Sequence, residues 1–124
     1  YRNLKQMAKP NHAGKLGETL ATEYFLNRGY TILHTNWRSG HWEIDIIAEK
    51  DRVLHFIEVK CRRSLRFGHP EESVSKKKIL NLMNAAEAYC QINETPDRKQ
   101  FDVLAITLLD QNNPGYFLIE DVYV

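Results

Sequence analysis

Hydrophobic and polar positions follow two different periods along this chain, and the changes of period mark its elements. From His12 to Arg28, the residues Leu16, Leu20, Ala21, Tyr24 and Phe25 recur at helical spacing, and Gly29 stands where a C-terminal cap glycine belongs. A first helix is expected there. Tyr30 to His34 alternates weakly and gives way to Asn36-Trp37-Arg38-Ser39-Gly40, which reads as a short strand followed by a loop. Trp42 to Ala48 alternates, with Ile44, Ile46 and Ala48 on one face and Glu43, Asp45 and Ile47 on the other. Beyond a polar turn around Lys50-Asp51-Arg52, Val53 to Cys61 is β-branched, aromatic and almost wholly apolar until its end. This is the pattern of a buried central strand that becomes polar as it emerges. Arg62 to Pro70 reads as a basic loop. From the N-cap Ser75 to about Gln91, the stripe Ile79, Leu82, Met83, Ala86, Tyr89 and Cys90 predicts a second helix. Phe101–Leu109 and Tyr116–Val124 read as two further strands. The order α-β-β-β-α-β-β, without internal repeat or linker, predicts an α/β fold with a mixed central sheet flanked by helices.

Composition narrows the class of protein. The 124 residues are 43% hydrophobic and carry 17 Lys+Arg against 16 Asp+Glu, a net charge of +1. That is too apolar and too weakly charged for a disordered chain, and the length suits one core. A single domain over 1–124 is expected, with residues 1–11 a flexible N-terminal segment; Tyr1 in place of Met suggests that the true start lies elsewhere. No apolar run can span a bilayer and no secretory signal is visible, so a cytoplasmic protein without a membrane partner is expected. Cys61 and Cys90 form neither a CxxC pair nor a disulfide framework, and the five His are scattered without ligand spacing. A zinc site is not expected.

Asp45 and Glu58 lie inside aliphatic strand sequence, Ile44 to Ile47 and Phe56 to Val59, where a structural sheet would hold apolar residues. With an even-numbered hairpin turn such as Lys50-Asp51 or Asp51-Arg52, Asp45 falls opposite Phe56 or Glu58, and Asp45, Glu58 and Lys60 share one face. An odd turn separates them. Two buried carboxylates need a shared proton or a cation between them, and an oxygen-only ligand set selects a hard ion, Mg²⁺ or Mn²⁺. Lys60 would then hold a scissile phosphate or orient the attacking water. The plain alternative for Glu58 and Lys60 is a surface ion pair.

The charge distribution adds a partner. Lys60, Arg62, Arg63, Arg66, Lys76, Lys77 and Lys78 face only Glu71 and Glu72 within that stretch, a local balance of +5, whereas the remainder of the chain is −4. A basic segment directly after the acidic pair is where a phosphate backbone would be gripped. Trp37 and Phe67 are candidate stacking residues, although core or loop anchoring is the commoner use of such side chains.

The strings GKLGE (14–18), NWR (36–38), EIDIIA (43–48), FIEVKCR (56–62), FGHPEESV (67–74), Lys78, AAEAY (85–89) and FDV (101–103) occur in that order. With them the chain resembles the YraN-like family of small bacterial proteins over nearly its whole length. The resemblance implies a restriction-endonuclease-like fold of the PD-(D/E)xK nuclease superfamily, close to Holliday junction resolvases. It implies that Asp45 is the metal-binding Asp, that Glu58 and Lys60 are the ExK pair, and that Glu18 is an additional acidic residue directed at the metal. Glu43 is a further motif position. Trp42 departs from the glycine usual in the family, which bears on the local turn. The expected function is a Mg²⁺-dependent endonuclease acting on DNA, structured DNA included, with a homodimer suggested by the two-fold symmetry of junctions. The alternatives are a non-catalytic nucleic-acid-binding protein of the same fold, or an interaction subunit whose basic segment binds an acidic partner.

Overall fold

The computed structural model describes residues 10–63, 75–110 and 112–123, with the side chains of 10–13 excepted. The expected flexible segment 1–11 therefore lies outside the described residues up to residue 9, and helix α1 begins at Pro10. Arg66, Phe67 and the string at 67–74 also lie outside them. The elements are α1 (Pro10–Leu26), β1 (Thr31–Ser39), β2 (Trp42–Lys50), β3 (Val53–Arg62), α2 (Lys76–Ile92), β4 (Arg98–Thr107) and β5 (Gly115–Ile119). This is the α-β-β-β-α-β-β order read from the sequence. The five strands form one sheet in the order β1-β2-β3-β4-β5. Every neighbouring pair is antiparallel except β3 and β4, which run parallel and are connected through α2.

Each face of the sheet carries a helix. Ala21, Phe25 and Tyr30 pack with Ile46, Ala48, Ile57, Leu104 and Ile106. Leu82, Ala85, Ala86 and Tyr89 of α2 pack with Ile44, Ile47, Leu54 and Phe56. Neighbouring residues of β3, Phe56 and Ile57, thus enter different cores, which is why that strand is nearly continuous in apolar residues. Helix α1 ends at the expected glycine. Gly29 has φ +87, its N–H donates to the Leu26 carbonyl, and the Tyr30 N–H donates to the Phe25 carbonyl. These are the bonds of a glycine-terminated helix.

Strand β1 differs from the expectation. The loop read at 36–40 is mostly strand, because Asn36 adopts φ +52 within β1 and pairing resumes at Trp37↔Ile44. Asn tolerates the left-handed region better than most residues, so a turn-like sequence is accommodated without ending the strand. The same place breaks the regular alternation expected of β2. Trp37 and Ile44 pack with the α2-side core, while Ile46, two residues on, packs on the α1 side. The pleat therefore slips at Asn36 and Asp45. At the other end, β4 begins at Arg98 rather than Phe101, and β5 stops at Ile119. The chain beyond β5 still follows β4: the Val122 N–H donates to the Phe101 carbonyl at 2.8 Å, and the Asp121 N–H donates to the buried Asp102 at 3.0 Å.

Candidate active site

The β2–β3 hairpin sets the site. Asp51 and Arg52 have φ of +52 and +65, the two-residue turn whose twist matches that of paired strands. That even turn yields the register Lys50↔Val53, Ala48↔His55 and Ile46↔Ile57, and one further step along it sets Asp45 opposite Glu58. Beyond Ile46 the Asp45 carboxylate takes over from the strand's own backbone, accepting the Val59 N–H at 2.8 Å. Asp45, Glu58 and Lys60 come together as the turn-length argument expects.

Burial governs their chemistry. It raises the Asp45 carboxyl above its ordinary value, aided by the charges of Glu43 and Glu18 and opposed by the bonds from Val59 and Glu58. Glu58 is pushed up to about 7, first by burial and then by the Asp45 charge and their shared hydrogen bond; Lys78 and Lys60 pull the other way. A Glu58 that donates to Asp45 has its own proton held more tightly and offsets part of the rise that burial gives Asp45. Lys60 is held below its usual value by burial and by Lys78 beside it, against the pull of Glu58 and Asp45.

Lys78 belongs to this group, whereas the sequence placed it only in a basic grip. Ser75 caps α2 through its side chain, accepting the Lys78 N–H at 3.2 Å. Lys78 lies one turn before the buried Leu82, so it shares the helix face that meets the sheet. With Glu58, Lys60, Ile79, Leu82 and Val103 it lines a niche of about 10 Å³, on the order of one water position. A cleft of about 280 Å³, which Glu58 also lines, opens between His41, Trp42 and Glu43 at the β1–β2 turn and Lys78, Asn81 and Leu82 of α2. The signal for Lys78 was the helical spacing itself, read together with its cap.

Glu18 is brought near by a close approach of α1. A Cβ on Gly17 would lie 3.0 Å from the Cys61 Cβ, so only glycine lets this turn of helix rest on β3. The Glu18 charge reaches Asp45 from there, but among the described residues no three His, Cys, Asp or Glu side chains stand together as an ion cage. The fit of a divalent cation rests instead on the chemistry of the pair. Two half-buried carboxylates side by side supply oxygen donors of the kind a hard cation takes, and Mg²⁺ commonly binds one or two carboxylates while keeping waters and substrate oxygens. Glu43 is exposed and ion-pairs with Arg38 at 3.2 Å. Lys76 and Lys77 are exposed on the first turn of α2, Arg63 is exposed after β3, and Arg62 at its end is half-buried.

A second polar group was not anticipated. The His55 Nδ1–H donates to Asp102 at 2.7 Å, and Gln100 and the Asp121 N–H donate to the same carboxylate. Asp102 is fully buried and His55 only 6% exposed, on the α1 side of the sheet, opposite the lysines.

The sequence matches the family described as "Uncharacterised protein family UPF0102" over residues 17–106. It is 42% identical over 124 residues to a UPF0102 protein of Caldicellulosiruptor bescii, covering 98% of this chain and 99% of the relative. It is 40% identical over 116 residues to one from Bacteroides thetaiotaomicron, covering 94% and 93%. The matched span includes Glu18, Asp45, Glu58, Lys60 and Lys78. No helix among the described residues is long and apolar enough to cross a membrane.

Proposed function

The chain belongs to the UPF0102 family, and on the carboxylate–lysine site described above we propose that it is a Mg²⁺-dependent endonuclease that hydrolyses DNA phosphodiesters. The observation that carries this reading is that Asp45 and Glu58 stand opposite each other, half-buried, with Lys60 and Lys78 beside them. A purely structural sheet gains nothing from such a pair, since burying it without a partner costs stability. The motif resemblance to PD-(D/E)xK nucleases supports the same assignment.

Asp45 and Glu58 would hold the metal, with the Glu18 charge behind them. When bound, it would supply charge stabilisation at the phosphate and a more acidic water. Lys60, with a lowered proton affinity, sits where it can orient the attacking water or accept its proton. Lys78 neutralises the phosphate from the first turn of α2. Arg62, Arg63, Lys76 and Lys77 extend the positive surface along which the backbone is gripped, giving salt-dependent binding.

Cleavage of linear duplex, single-stranded and four-way-junction DNA with Mg²⁺ or Mn²⁺ tests the proposal. Metal-dependent cutting of at least one substrate is expected, reduced by about 100-fold or more in Asp45→Asn and in Lys60→Ala. Equal cutting by the variants would reveal a contaminant. Salt-sensitive binding without turnover under any metal would identify a non-catalytic binder and overturn the enzymatic claim.

A further inference from the structure

The cleft beside Glu58 has a composition that a phosphate site does not need. Its hairpin wall is aromatic: the rings of His41 and Trp42 lie 4.1 Å apart between centroids, tilted by 40°. Its other lining groups are the acceptor carboxylate of Glu43, the amide of Asn81, the apolar Leu82, and the Glu58 and Lys78 pair that joins it to the catalytic group. Among the described residues these lining groups include one lysine, Lys78, and the Glu43 carboxylate is already ion-paired with Arg38 at 3.2 Å, so they offer little net charge to a bare polyanion. They suit an uncharged, flat, hydrogen-bonding group whose phosphate lies at the Lys78 end. Glu43 can accept from an exocyclic amine, and Asn81 can both donate and accept along a base edge. Trp42, half-buried against the α2-side core, is a rigid surface on which a ring can stack.

From these contacts we infer that the cleft walled by His41, Trp42, Glu43 and Asn81 is a nucleobase subsite, which receives one unpaired base next to the phosphate held at the carboxylate–lysine group. The volume of about 280 Å³ suits one base with part of its sugar and is too small for a base pair with its stacked neighbours. A base in a duplex has both faces stacked and its edge occupied, so it enters only after leaving the helix. The substrates selected are therefore single-stranded segments, flaps or branch points rather than uninterrupted duplex. The inference rests on the proposed nucleic-acid function and narrows its substrate class.

Binding without turnover tests it. In EDTA, a labelled single-stranded 12-mer and the matched blunt duplex are titrated into wild-type protein, Trp42→Ala and Trp42→Phe, with binding followed by anisotropy and stacking by tryptophan emission. Trp42→Ala is expected to weaken single-strand binding by about tenfold, the size of one lost base stack, and to leave duplex binding unchanged. Trp42→Phe, which keeps an aromatic wall and the core packing, should stay within about twofold of wild type. Emission of the wild type should be quenched by the single strand and not by the duplex. Single-strand affinity that survives in Trp42→Ala, or equal quenching by duplex, overturns the subsite while leaving the nuclease reading intact. Failure of both oligonucleotides to bind at low salt overturns the subsite and the nucleic-acid reading together. Because no metal and no cleavage enter the measurement, inactivity toward DNA does not affect its outcome.

Discussion

Replacing Glu58 by Gln separates the charge of the site from its hydrogen bond. The amide of Glu58→Gln is nearly the same size as the protonated acid and can still donate to Asp45, but it never ionises. In the wild type, Glu58 has an ordinary value of 4.5 and a folded value of about 7. The folded protein therefore holds this proton more tightly than the unfolded chain does. The stability linked to it is complete below about pH 4.5 and is lost as the pH rises through about 7. At about 1.4 kcal/mol for each tenfold change in proton affinity, the loss approaches roughly 3 kcal/mol. For a domain of this size that corresponds to a shift of about 10 °C in Tm. Urea or thermal denaturation in EDTA, from about pH 5 to about pH 8, reads it directly. The two proteins should be nearly equally stable at the acid end, and Glu58→Gln should be the more stable at the alkaline end. Subtracting the two curves removes the histidines and every other group that does not interact with Glu58. A difference that stays flat across this range would refute the account of a proton-sharing pair.

Three further outcomes follow from other parts of the molecule. Mn²⁺ or Mg²⁺ should raise the Tm of the wild type more than that of Glu58→Gln, and calorimetry in buffers of different ionisation enthalpy should show proton release at about pH 6; a buffer-independent heat would contradict displacement of the shared proton. Asn36→Val should cost about 1–2 kcal/mol in urea denaturation because a β-branched residue must hold φ +52, whereas Asn36→Gly should cost little; equal losses would remove the backbone argument. Asp102→Ala should cost roughly 3–5 kcal/mol, since His55, Gln100 and the Asp121 N–H all lose their acceptor, and a loss below about 1 kcal/mol would show that water replaces it.

The elements and the acidic pair were legible for one reason: strand periodicity and a two-residue turn are local, and local rules fix which residues share a face. Asp45, Glu58 and Lys60 follow from the Asp51-Arg52 turn without any knowledge of the rest of the fold. Asn36-Trp37-Arg38 misleads because its side chains suit a turn, and the pairings of Trp37 with Ile44 and Arg38 with Glu43 hold it in a strand. The slip of the pleat at Asp45 has no periodic signature, because it arises where a side chain replaces a backbone partner. Lys78 and the His55–Asp102 pair depend on docking between segments distant in sequence. Glu18 entered through family resemblance, and the reason for its motif appears only in the contact of Gly17 with Cys61.

The sheet order also has a history built into it. Its first three strands are a meander of consecutive hairpins, so both carboxylates of the site are encoded before α2 leaves the ribosome. The parallel pairing of β3 with β4 waits for that helix and the chain that follows it. A nascent chain thus brings two acids together first and receives the neutralising Lys78 afterwards. The second half then adds the Lys78 charge to that of Lys60, and a truncated product ending before α2 retains the acids with Lys60 alone. Full-length synthesis is in this sense the step that completes the site electrostatically, well before any substrate or metal arrives.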